Sequence, residues 1–261
     1  MVGVTRHPDR LQTLTSIERT NDMDTTDNPT CNSDSLEIYS EDAVDQAIAN
    51  LMKWCGAHKD EFLDNANFIF HMLCDDDLDL AEMEDSVKNA FSIVFTEWAT
   101  FEYRGLGGGC INQYLSHAEA ISDRDRAILS ELKDTEKFGL FRYDGPFDDG
   151  DGDMGILVTD TLDNNSFKIH SAYLRKLAVN RNYEPGSGLS IRVATLNDRA
   201  YYIGHFPAHD SAMVEAGKTV EVYRECQESG FPFIIKLATC MLSPTGMFND
   251  SAVIHSVGSN N

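Results

Sequence analysis

The chain predicts an α+β protein: an N-terminal helical domain, a small five-stranded barrel of the SH3-like or OB-like kind, and a C-terminal helical addition. Three observations predict it. Up to about residue 135, apolar residues recur at the three-and-four spacing of a buried helix face. Near Glu136 that period gives way to alternation, the mark of half-buried strands. From there to Phe206, five short apolar runs are separated by tight-turn signals.

The elements follow in order. Residues 1–34 have no apolar period and are rich in Thr, Asn and Asp, which predicts a disordered tail without a secretory signal. The acidic helical domain is expected over 35–135. Ser40 is a suitable N-cap, with Glu41 and Asp42 at the positive end of the helix dipole. Val44, Ile48, Leu51, Met52 and Cys55 make the inward face of that first helix. A second helix is expected from about Asp60 to Leu73, closed by the CDDDLD stretch at Cys74–Asp79, which reads as a solvated loop. The third helix is the most hydrophobic. Leu80, Met83, Val87, Phe91, Val94, Trp98 and Phe101 form its broad apolar face, with Glu97 and Glu102 on the other side. Gly105 is placed to stop it in a left-handed cap. Gly107, Gly108 and Gly109 form a turn into a helix carrying Ile111, Tyr114 and Leu115. A phosphate cradle would need a preceding strand and a following Lys-Ser or Lys-Thr, and neither is present. Ser122 opens one more helix, with Asp125 as its capping-box acid and Ile128, Leu129 and Leu132 inward.

The barrel is expected over 136–207. Its first strand carries Phe138, Leu140 and Tyr143 and ends at Asp144-Gly145-Pro146. Met154–Thr159 and Ser166–His170 are the second and third strands, joined by the turn at Asp163-Asn164-Asn165. Leu189–Leu196 is the fourth, Asn197-Asp198 its turn, and Arg199–Phe206 the fifth. In the segment 208–245, Ser211–Gln227 reads as a helix and Phe231–Leu242 as an apolar stretch too short to span a membrane. Residues 246–261 read as a disordered tail.

Charge narrows the function classes. The net charge is −22. Fifteen acids against three bases over Glu41–Glu102 leave that helical stretch at −12. Such a surface repels phosphates and argues against direct nucleic-acid binding. The six cysteines, Cys31, Cys55, Cys74, Cys110, Cys226 and Cys240, form no CxxC or Cys/His cluster. No zinc site is expected from them, and they read as thiols in a reducing, cytoplasmic compartment. The run Asp149, Asp151, Asp153 has the alternate spacing that opens a calcium loop. Met154 stands where that loop needs glycine and Asp160 where it needs glutamate, so an acidic hairpin loop is expected. No cofactor is expected. From Lys168 to Arg199 the chain is net +4, a basic strip read as docking on the protein's own acidic helices or as solvated.

The stretches FTEWATFEYRGLGGGCINQYL, RAILSELKDTEKFGLFRY, GILVTDTLDNNSFKIH and PGSGLSIRVATLNDRAYYIGHF, in that order, resemble a family of uncharacterised bacterial proteins. The resemblance covers about Val44 to Phe206. It implies an aromatic helix ending in a Phe-x-Tyr-Arg run, a glycine turn, a second helix and a β module. Some members carry a C-terminal SEC-C zinc motif; this chain lacks that cysteine-rich tail. No catalytic residues come with the family.

The function expected is a non-catalytic binding or adaptor protein that recognises another protein through the β module. The candidate binding residues are Tyr103, Arg104, Tyr173, Arg175, Tyr201 and Tyr202. An alternative is an acidic decoy whose helical carboxylates imitate nucleic acid and occupy a basic DNA- or RNA-handling protein. A second alternative is an enzyme, for which His205 and His209 would have to converge with an acid such as Asp160 or Glu102.

Overall fold

In the computed structural model, residues 39–74, 85–105, 108–117, 121–150, 152–210 and 217–242 are described. The expected tails, most of the CDDDLD loop, Leu80, Met83, Gly107, Asp151 and Ser211–Ala216 lie outside them.

Among the described residues, five helices precede the sheet: α1 (Glu41–Ala57), α2 (Lys59–Leu73), α3 (Asp85–Phe101), α4 (Cys110–His117) and α5 (Asp123–Thr135). Ser40 and Ser122 cap α1 and α5 as expected, their hydroxyls accepting from the amides of Ala43 and Asp125. The strands are β1 (Lys137–Asp148), β2 (Met154–Asp160), β3 (Ser166–His170), β4 (Gly188–Leu196), β5 (Arg199–Tyr202) and β6 (Ala208–Asp210). Helix α6 (Ala172–Asn180) lies between β3 and β4, and α7 (Lys218–Ser229) and α8 (Phe233–Leu242) follow the sheet.

The strands run β1-β2-β3-β5-β4, and β1 pairs β4 to close the ring. The β3–β5 pair is parallel and the other pairs are antiparallel. This closure, with a helix between the third and fourth strands, is the OB-like of the two predicted barrels. Strand β6 continues along β4 beyond β5.

The first strand does not end at Gly145. Lys137–Arg142 pairs β4, Phe141–Asp148 pairs β2, and the register shifts at Gly145, whose φ of 146° only glycine adopts readily. The bulge bends one strand far enough to serve both neighbours. The Asn197-Asp198 turn has both residues at positive φ, 48° and 61°, as a two-residue hairpin requires. Helix α3 stops at Phe101, a turn before the expected stop, and Gly105 is not in the left-handed region. A Cβ at Gly105 would lie 1.9 Å from the Tyr103 hydroxyl, so this glycine makes room for a folded-back ring.

The described residues form three hydrophobic cores. Phe141, Tyr143, Ile156, Val158, Ile169 and Ile191 help fill the barrel. Its outer wall is shared: Phe138 and Leu140 of β1 pack with α2, α3, α7 and α8, while Ala194, Leu196 and Tyr201 pack with α1, α4 and α5. Trp98 packs against Phe70 and Tyr103 at ring distances of 5.6 and 5.3 Å. On the outward side of β2 and β3, Leu157 and Lys168 stand exposed.

One ionic cluster sits inside this shared wall. Arg192 of β4 is fully buried between the rings of Phe101 and Phe138. It bonds Glu97 at 3.0 Å, Glu136 at 2.5 Å and Glu102. Glu97 is buried, not on an outer face as its position on the third helix suggested. Burial works against the charge on Arg192, and the three carboxylates outweigh it. Burial pushes Glu136 up from the ordinary carboxylate range against the pull of Arg192.

Candidate functional site

The site is built from three distant segments. Helix α1 supplies a stripe on one face: Glu41, Asp45, Ile48 and Met52 recur at three-and-four spacing. The start of α6 supplies Ser171 and Tyr173, and the end of β5 supplies Tyr202 to His205. Between them is a cleft of about 510 Å³.

Each wall has a local reason for its position. Ser171 caps α6, its hydroxyl accepting from the Leu174 amide at 3.2 Å. The same hydroxyl donates to Glu41 Oε1 at 2.8 Å, and the Ala172 amide donates to Glu41 Oε2 at 2.9 Å. A carboxylate on α1 thus fixes the N-terminus of α6, where negative charge is favoured. That places Tyr173 parallel to Tyr202, with ring centres 5.8 Å apart and planes at 14°. The chain that follows Tyr202 is held by Glu97, whose Oε2 accepts from the amides of His205 (2.7 Å) and Phe206 (3.0 Å). Gly204 sits over the ionic cluster: a Cβ there would lie 3.0 Å from the Arg192 Cβ and 3.1 Å from Glu97 Oε1.

The cleft is acidic at one end and apolar at the other. Burial, with Glu41 and Asp42 beside it, pushes the Asp45 carboxyl up, and His205 opposes that. The Tyr202 hydroxyl is buried and has no hydrogen-bond partner among the described residues. Its ionisation is pushed well above that of free tyrosine by burial, so it is a neutral donor and acceptor. Such a group costs free energy unless something binds it. The Ser171 hydroxyl is engaged at both its donor and acceptor sides, which makes it a structural link and not a free nucleophile.

Of the six candidate residues, Tyr173 and Tyr202 come together here. The other four lie elsewhere. Tyr201, the neighbour of Tyr202, points to the opposite face of β5 into the helical core, its hydroxyl donating to the Tyr39 carbonyl at 2.6 Å. Arg175 reaches Asp148 at 3.2 Å. Tyr103 is buried and accepts from Asn65 at 2.7 Å; Arg104 bonds the Phe101 carbonyl and Glu136. Glu41, Asp45, Ile48 and Met52 carry the other half of the cleft. In the sequence they are indistinguishable from a capped amphipathic helix.

The remaining motifs resolve within the fold. In the basic strip, Arg192 docks on acids of the helical half, while Lys168 pairs Asp149 at 2.5 Å, and Arg199 and His170 both meet Asp153 at 2.7 Å. The hydrogen bond and charge of His170, with Arg199, hold Asp153 below the usual carboxylate range against the opposing effect of desolvation. Among the described residues no group of three or more Cys, His, Asp or Glu is placed to hold a metal ion. His205 and His209 do not form a pair: His209 stacks on Tyr183 at 3.7 Å and bonds Ser187. Asp160 pairs Lys137, and Glu102 is taken up by Arg192. Among the described residues no helix is long and apolar enough to cross a membrane.

No family model, curated protein or solved structure matches the chain.

Proposed function

We propose that this protein is a non-catalytic binding protein that recognises a partner protein through the cleft between α1, α6 and the end of β5. The observation that carries the reading is the Tyr202 hydroxyl: buried, without a hydrogen-bond partner among the described residues, and on a residue that lines a cleft of ligand size. Around it the cleft offers apolar surface from Ile48 and Met52 and charge from Glu41 and Asp45. A few convergent polar groups in an apolar recess is the usual make-up of a recognition site. The acidic-decoy alternative has less support. Glu97, Glu102 and Glu136 turn toward Arg192 and are not free to imitate phosphates.

A photo-crosslinking phenylalanine analogue at Tyr173, inside the cleft, and at Val179, exposed on the same helix but not lining it, tests the reading in the native cell. A discrete protein adduct from position 173 and none from 179 is expected. No protein adduct at 173, or the same adducts from both positions, overturns it.

A further inference from the structure

We propose that the group seated in this cleft is an alkylammonium or alkylguanidinium cation, supplied as a lysine or arginine side chain of the partner; this rests on the binding reading above. Four features of the cleft converge on it.

Its charge has one sign and one end. Glu41 and Asp45 lie one helical turn apart at the N-terminal end of the α1 stripe. Glu41 accepts two hydrogen bonds from α6, and Asp45 has no ion pair or hydrogen bond to a described residue. Among the described residues lining the cleft, His205 is the one titratable base. Anionic ligands are repelled.

The stripe then turns apolar. Ile48, Ala49 and Met52 follow Asp45 along the same helix. At about 1.5 Å rise per residue, Asp45 to Met52 spans roughly 10 Å. That is enough for a four-carbon stem and its charged head, and such stems are ordinarily buried along apolar surface while the head stays polar.

The opposite wall is aromatic. Tyr173 is 41% exposed and parallel to Tyr202, offering a ring face toward which a cation is drawn by the quadrupole. Finally, the Tyr202 oxygen lacks a donor among the described residues. An ammonium carries three donors and a guanidinium five, enough to serve Asp45 and Tyr202 together. A neutral apolar ligand would cover both groups and satisfy neither, which costs affinity.

The Met52 methyl, one of nine methionine methyls in the chain, reports occupancy by carbon-13 NMR, with Met52→Leu assigning its signal. The probes are n-butylammonium, n-butanol and butyrate, and a glycine-serine peptide with one central lysine beside its acetyl-lysine form. A saturable Met52 shift with n-butylammonium and the lysine peptide is expected. Binding of n-butanol, butyrate and the acetylated peptide should be at least tenfold weaker, as loss of a charged hydrogen bond implies. Asp45→Asn should weaken n-butylammonium about tenfold and leave n-butanol unchanged. Tyr202→Phe should weaken the amine several-fold.

Equal binding of n-butanol and n-butylammonium overturns the cation while leaving a binding cleft. Binding of n-butylammonium without the lysine peptide overturns the side-chain source in favour of a free amine. No Met52 shift with any probe overturns the inference outright, and the adducts from position 173 then decide the binding reading separately.

Discussion

Arg192 and Glu97 meet 3.0 Å apart with neither side chain exposed, and they join β4 to α3 across 95 residues of sequence. Glu97 also holds the segment that walls the cleft. Removing the cation leaves Glu97 buried and uncompensated, a loss of about 3–5 kcal/mol by the usual cost of breaking a buried pair. Arg192→Met should therefore unfold at much lower urea than wild type. Glu97→Gln keeps an acceptor for the His205 or Phe206 amide and should cost less, about 1–3 kcal/mol. Equal midpoints for the two variants would contradict the pairing.

Two glycines should respond with opposite signs. A Cβ at Gly155 would lie 1.9 Å from the Ile169 carbonyl oxygen and 2.9 Å from the Ser171 amide, both of them backbone. Gly155→Ala must push β3 away from β2, at or above the ~1–3 kcal/mol of ordinary overpacking. A Cβ at Gly56, near the end of α1, would meet nothing within 4 Å. Gly56→Ala should raise the melting temperature through helix propensity, by up to about 1 kcal/mol. Calorimetry on the two variants separates them.

Tyr202→Phe removes a buried hydroxyl that has no partner among the described residues. The unliganded protein should be unchanged or more stable, by up to about 1 kcal/mol, because a desolvation cost disappears with the group. A fall in melting temperature larger than that increment would mean that the hydroxyl is bonded within the folded chain.

Asp45 links the cleft to pH. Its folded-state carboxyl is raised by burial and by Glu41 and Asp42. The folded protein therefore holds this proton more tightly than the unfolded chain, and stability falls as pH rises from the ordinary aspartate range through the raised value. Asp45→Asn removes that loss. The variant should melt higher than wild type at pH 7, with the difference shrinking on acidification toward the ordinary aspartate range. A difference that grows on acidification would mean that folding lowers this carboxyl instead of raising it.

Much of this architecture is legible in the residues. Ser40 and Ser122 cap where their side chains predict, and Ser166–His170 and the Asn197-Asp198 turn fall where alternation and turn chemistry put them. Gly145 misleads because a bulge and a strand end carry the same signal, and only pairing to two neighbours tells them apart. Helix α6 is short, and its apolar face rests on Leu174 and Ala178, too few residues to fix a period. Glu97 reads as solvated because nothing local announces an arginine 95 residues later. The cleft is half legible: Tyr173 and Tyr202 stand out as aromatics beside basic residues, whereas Glu41 and Asp45 look like ordinary acids at the start of a helix.

The bond from Ser171 to Glu41 spans 130 positions, and β5 lies some 30 positions further on. During synthesis α1 emerges first and its stripe waits for the rest of the barrel. At about 5–20 residues per second that interval is roughly 10–30 s. Throughout it Ile48 and Met52 have no opposing wall, and no fragment ending before β5 holds the cleft. The cleft is therefore complete only once the last barrel strand and the residues to His205 have been made.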